Sequence, residues 1–326
     1  MIAWLWARTV KCPNPACGAQ MPLVSSYWLS KNKGKEAWIE PKVDHTITTP
    51  MIRFTVVVGE GGPIDSPKVG RGSQFTCLCC GSVTSEHYVR NEGMDGHIGT
   101  QLMAIVAEGK QGRVYLSPTL EQEVVASQAR PEWWPGQEIS KNPRWFSPPL
   151  FGMTTFGDIF TSRQLVALTI FSNLVQEARE RVLTDACLES WPLEGASRID
   201  GDTGANAYSD ALATYLAFIL DKLADLANQL CRWEPMAQCP RQLFARQAMP
   251  MVWDFAEGNP LGTSSGSWMV LVDNLLRSLH SPLMDFGRSY NGVARQDDAT
   301  SAINSVIQPL ISTDPPYYDN ISYAVM

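Results

Sequence analysis

The chain has 326 residues, of which 44% are apolar and 18% charged, a balance that supports a sizeable core and excludes wholesale disorder. Its formal net charge of −7 excludes an overall basic coat for gripping nucleic acid. No stretch approaches the roughly 18 consecutive apolar residues of a membrane span, and the apolar start lacks a basic leader and a cleavage signature, so a cytoplasmic protein is expected.

In chain order, Met1–Arg8 reads as a buried strand. It leads into Cys12-Pro-Asn-Pro-Ala-Cys17-Gly18, and a second cluster follows at Cys77-Leu-Cys79-Cys80-Gly81. Each cluster is a short turn closed by glycine, which permits a positive φ and aims two thiolates at one ion. Two such knuckles make one tetrahedral site with Cys12, Cys17, Cys77 and Cys80 as ligands, and zinc is the metal expected of four thiolates. Cys79 is a possible substitute for Cys77 or Cys80, His87 is a poorer one, and ordinary buried thiols are the plain alternative. A site with no open ligand position is structural. Cys187, Cys231 and Cys239 stand isolated and read as buried or surface thiols.

Between the knuckles lie strand-like runs at Leu23–Leu29, Ala37–Val43 and Arg53–Val58. Phe54–Val58 then Gly59-Glu-Gly61-Gly62 imitates a strand entering a nucleotide loop, but Pro63–Pro67 does not begin a helix, so a hairpin turn is expected instead. Residues 1–72 hold nine Lys/Arg against five Asp/Glu, which leaves this part at +4 and the remainder at −11. The N-terminal part is therefore the better candidate for phosphate contact, although a solvated face of mixed charge gives the same pattern.

Further along, Val114–Leu116 reads as a strand and Thr100–Ala107 as a helix. Residues 128–150 are rich in Pro and Trp and predict an irregular boundary. Thr161-Ser162 caps a helix to about Val182, a second runs from Asn206 to about Trp233, and a third from Trp268 to about His280. Their apolar stripes are core. His280 reads as a C-terminal cap, and Glu257-Gly-Asn259-Pro260 as a polar turn behind an apolar helix.

An apolar run over Ile303–Ser312, broken by Pro309, reads as a strand that delivers Asp314-Pro315-Pro316-Tyr317 into a loop. Each residue of this tetrad suits methylation of an exocyclic amine on a base extruded from its duplex. The Asp314 carboxylate and the Pro315 carbonyl accept from the amino group and stabilise the charge that develops on its nitrogen. The two prolines stiffen the loop, and the Tyr317 ring offers a face for the base. Asp298 is a weaker candidate for a carboxylate near base or cofactor, and a solvated acidic turn is its alternative.

Together with Trp6–Val10, Tyr27–Lys31, Gly152–Asp158, Met251–Phe255 and Thr313–Ile321, these motifs make the chain resemble the large adenine-specific DNA methylases that contain a zinc ribbon. The resemblance implies a Rossmann-like fold, S-adenosylmethionine as methyl donor and DNA as partner. The glycine-rich cofactor loop of that family has no counterpart here, and only nine residues follow Tyr317. The chain is thus expected to be an internal piece of a larger enzyme, with a missing upstream segment or a partner chain supplying the loop.

The expected fold is α+β. A β-rich zinc ribbon occupies 1–127, a Pro/Trp-rich linker 128–160, a helical region 161–290, and a partial Rossmann-like methyltransferase sheet with its Asp-Pro-Pro-Tyr loop 291–326. The alternative function is a non-catalytic zinc-ribbon module that binds nucleic acid, or an inactive remnant of such an enzyme.

Overall fold

A computed structural model describes residues 1–46, 49–142, 144, 146–192, 204–245, 248–280 and 312. Residues 1–274 form one compact unit, and the few described residues beyond it do not belong to that unit. The described residues are a mixed α/β structure with several antiparallel sheets and five α-helices.

The strand expected at the start is β1 (Ala3–Lys11), and its burial explains its apolar sequence: of its nine residues, only Trp4 and Lys11 are not buried. A glycine-closed turn returns it into β2 (Gln20–Leu23). Then follow β3 (Trp28–Ser30), β4 (Ala37–Asp44) and β5 (Met51–Val58), which form their own antiparallel sheet in the order β3-β4-β5. The Gly59–Gly62 run that ends β5 is not a hairpin turn. The next strand, β6 (Lys68–Val69), pairs with β7 (Gln74–Phe75) rather than with β5. Gly61 and Gly62 cross the rings of Trp38 and Trp28, where a Cβ on Gly62 would lie 2.9 Å from the Trp28 ring. No helix follows before α1 (Glu86–Met94), so the run has no phosphate-binding helix end.

The segment expected as a helix near Thr100–Ala107 is a strand, β8 (Gly99–Gly109). Leu102–Val106 is an unbroken run of buried residues, and such a run has no period to separate helix from strand. Pairing with β1 on one side and with β9 (Gly112–Leu116) on the other decides the matter. The helix α2 (Leu120–Ala126) comes next. Among the described residues of the Pro/Trp-rich linker there are isolated bridges and short 3-10 turns at Pro148–Phe151 and Phe156–Ile159, with Trp133 and Trp134 exposed.

Of the long helices, α3 (Ser162–Leu188) starts where Thr161 and Gln164 close a capping box, a motif readable as Thr-x-x-Gln. The helix α4 (Ala205–Leu226) buries Ile219 and Leu223 and ends before the expected Trp233, because β10 (Arg232–Glu234) and β11 (Cys239–Arg241) form a hairpin there. Glu257 and Gly258, expected to begin a polar turn behind an apolar helix, instead end the strand β12 (Asp254–Gly258). The last helix among the described residues is α5 (Trp268–Leu279); His280 Nδ1 lies 2.7 Å from the Leu276 carbonyl oxygen, as a C-terminal cap would.

The main sheet runs β12-β1-β8-β9, with β2 also on β1. One edge of β1 is shared: Ala3–Ala7 pair with β12, and Arg8–Lys11 pair with β2. Every strand pairing within the described sheets is antiparallel. The Rossmann-like sheet expected over 291–326 lies outside the described residues, Ser312 aside. No helix among the described residues is long and apolar enough to cross a membrane.

Candidate metal centre

The first knuckle is the turn between β1 and β2. Cys12 N–H donates to the Ala19 carbonyl at 2.8 Å, and the N–H groups of Cys17 and Gly18 both donate to the Asn14 carbonyl. Gly18 takes φ +62°, the left-handed conformation that glycine adopts without steric cost. The second knuckle follows β7 and repeats the design. Cys77 N–H donates to the Ser82 carbonyl, Gly81 N–H donates to the Cys77 carbonyl, and Gly81 takes φ +74°. The glycines recognised in the sequence therefore do the work expected of them.

These turns bring together the four cysteines chosen on spacing. The sulfurs of Cys12, Cys17, Cys77 and Cys80 all lie within 4.8 Å of one another. Cys12 Sγ is 3.6 Å from Cys80 Sγ, and Cys17 Sγ is 3.9 Å from Cys77 Sγ. Four thiolates bound tetrahedrally at about 2.3 Å stand about 3.8 Å apart, so the spacing fits a metal ion and is compatible with zinc. Cys79 and His87 are not in the group. Cys79 packs instead against apolar neighbours, where burial pushes its thiol up to about 12. His87 sits 3.3 Å from Asn91 through its ring nitrogen.

The electrostatics of the ligands differ with their surroundings. Cys12 and Cys77 are buried and Cys80 is exposed. Burial pushes the Cys12 thiol up. The Ser82 hydroxyl, 3.3 Å away, and the Ser82 backbone hold Cys80 down at about 6. Cys80 is thus the readiest thiolate, and a bound cation would draw off the other protons. Around the sulfurs, Val10, Met21, Leu23, Phe75, Val89 and Trp253 form a core in which Cys12 and Cys77 are themselves members. Trp253 meets Phe75 and Phe151 edge-on, with ring centroids 5.3 and 4.9 Å apart.

The other site residues expected from the sequence, Asp298, Asp314, Pro315, Pro316 and Tyr317, lie outside the described residues. For S-adenosylmethionine, the described residues offer no glycine-rich turn from strand into helix.

Sequence reasoning missed a buried ionic junction. Glu257, on β12, accepts from the Thr161 hydroxyl at 2.9 Å and takes a forked contact from Arg163 at 2.7–3.1 Å. The Arg163 guanidinium lies over the Trp6 ring, 4.5 Å from its centroid. The junction joins the start of α3 to the main sheet and forms part of the wall of a 510 Å³ cavity. The Thr161 cap was the only local sign of it.

Comparison with protein-family models, with curated proteins and with solved structures finds no match.

Proposed function

We propose that the chain is part of an S-adenosylmethionine-dependent DNA N6-adenine methyltransferase, to which it contributes a structural zinc site and the target-base loop. The observation that carries the reading is the sequence Asp314-Pro315-Pro316-Tyr317, whose acceptors, rigidity and aromatic face match the needs of amine methylation. The four-cysteine cluster supports the accompanying zinc assignment, because closely spaced thiolates with tetrahedral separations and no further ligand favour that ion.

In this reading zinc has no chemical step. Cys12 and Cys17 hold the end of β1, Cys77 and Cys80 hold the turn after β7, and coordination ties the two together. S-adenosylmethionine supplies the methyl group, and another segment or a partner chain supplies the glycine-rich part of its site. Asp314 and the Pro315 carbonyl orient the amino group of the extruded adenine, and Tyr317 stacks on its ring.

The test is methyl transfer to adenine in duplex DNA by the chain together with the segment carrying the cofactor loop. Asp314→Ala should lower the rate by at least about a hundredfold, the scale of losing one aimed electrostatic group, without lowering the melting temperature. Full activity in that variant overturns the role of Asp314. The positive balance of residues 1–72 favours a second reading, a zinc module that binds nucleic acid without catalysis. Salt-sensitive DNA binding that maps to 1–72, with no methylation by the reconstituted protein, selects it.

A further inference from the structure

Arg8 is a buried cation with no anion beside it among the described residues. The residue is 3% exposed. Its Nε donates to the Val252 carbonyl at 2.8 Å, one Nη donates to the Gln229 side-chain oxygen at 3.1 Å, and the other donates to the Gln229 carbonyl at 3.2 Å. A remaining contact is the Met153 sulfur at 3.9 Å, and the guanidinium lies 5.3 Å from the Phe255 ring centroid. Every one of these partners is neutral, and among the described residues no carboxylate pairs with it. Burial pulls this guanidinium down to about 9. Burying a charge with no counter-charge is among the costliest things a fold does. Arg163 shows the usual solution, a forked pair with Glu257.

Arg8 also borders a cavity of 210 Å³, along with Gly93, Gly96, Gly152, Met153 and Gln229. No acidic side chain lines it. Gly93 and Gly152 are required by a close approach of two backbones: a Cβ on Gly152 would lie 2.1 Å from the Gly93 carbonyl oxygen. Gly96 is exposed and forms the outer rim. The space exceeds what one water molecule occupies and suits a single tetrahedral oxyanion, with Arg8 as the one charged residue in its lining.

We infer that this cavity is a phosphate site, in which the Arg8 guanidinium meets an anion that none of the described residues supplies. Guanidinium and phosphate match in charge and in forked geometry. The phosphate is either a free anion or a group of a nucleic-acid backbone. The inference stands apart from the methyltransferase reading, since it needs neither the Asp314 loop nor zinc.

The test is a calorimetric titration of the full chain with inorganic phosphate, on the unaltered protein and on Gly96→Asn and Gly96→Asp. Gly96 has φ +74° and a Cβ there meets nothing within 4 Å, so both variants carry the same mild strain and differ only in charge. Phosphate should bind the unaltered chain and Gly96→Asn alike, and Gly96→Asp about tenfold more weakly through repulsion at the rim, with matching melting curves for the two variants. Arg8→Met should abolish binding, and the Gly96 pair keeps the test decisive if that variant fails to fold. No phosphate binding by the unaltered chain, or equal affinity of the Asn and Asp variants, overturns the inference. Given phosphate binding, a duplex oligonucleotide without terminal phosphates identifies the source. Competition with phosphate assigns the site to a nucleic-acid backbone, and independence assigns it to a free anion.

Discussion

The two ends of β1 are held by different means. Ala3–Ala7 lie between β12 and β8, with Ala3, Leu5 and Ala7 buried in one core and Trp6 in another beside Leu102, Ile105 and Phe255. Beyond Arg8 the strand passes into the core that includes Cys12 and Cys77. Apolar area closes the first end, since each fully buried aliphatic side chain supplies roughly 1.5–3 kcal/mol. The second end is a pair of turns around a smaller core, and in the proposed reading coordination by their four cysteines supplies what area does not. A continuous strand can therefore take its stability from burial at one end and from thiolate chemistry at the other.

The largest effect that tests this contrast comes from removing a ligand. Cys77→Ser should reduce bound zinc from about one ion per chain to near zero and cost at least about 5 kcal/mol, against the roughly 10 kcal/mol of zinc binding in small zinc-folded domains. Elemental analysis and a denaturant melt measure both. Hydrogen exchange should then open β2 and the turn after β7 while β12 stays protected; equal opening at both ends would break the contrast. Cys79→Ser is the control and should leave zinc content unchanged.

A smaller effect is expected at the other end. Glu257→Ala removes the partner of Arg163 and should cost about 3 kcal/mol in a denaturant melt, less than for a fully dry pair because Arg163 retains some exposure. Zinc content should not change. Loss of zinc in this variant would mean that the two ends are coupled.

The smallest effect sharpens the contrast through pH. Burial raises the Asp254 carboxyl, at the start of β12, to about 6 from an ordinary 3.8, against the opposing pull of the Ser25 N–H at 2.7 Å. The folded state thus keeps a proton that the unfolded chain releases. Its contribution is greatest below about pH 4 and is lost as pH rises through about 6. Asp254→Asn does not titrate, so it should gain about 2 kcal/mol over the unaltered chain between pH 4 and pH 7. Urea melts across that range check this, and a constant difference overturns it.

Local chemistry made part of this molecule legible in the sequence. Gly18 and Gly81 marked the knuckles, and Thr161 marked the start of α3, because each acts on atoms within a few residues of itself. The rest depended on partners far away. Leu102–Val106 suits helix or strand equally until β1 and β9 flank it. Glu257 resembled a solvated turn because nothing near it in sequence announces Arg163. Arg8 ends a segment legible as a buried strand and is one of the nine cations of residues 1–72, but its partners Val252, Gln229 and Met153 have no local signature. The Asp314–Tyr317 tetrad was legible as chemistry alone.

The placement of β1 also governs how the chain can fold. Ala3 pairs with Gly258 and with Val106, so the central strand of the main sheet must wait for partners about 100 and 250 positions later. Such high contact order slows folding, because loop closure is paid for before the sheet rewards it. During synthesis at about 5–20 residues per second, the apolar Ala3–Ala7 segment has an unfilled edge until β12 emerges. That interval of many seconds makes the nascent chain a natural client for chaperones, and makes β1 the segment from which aggregation would start.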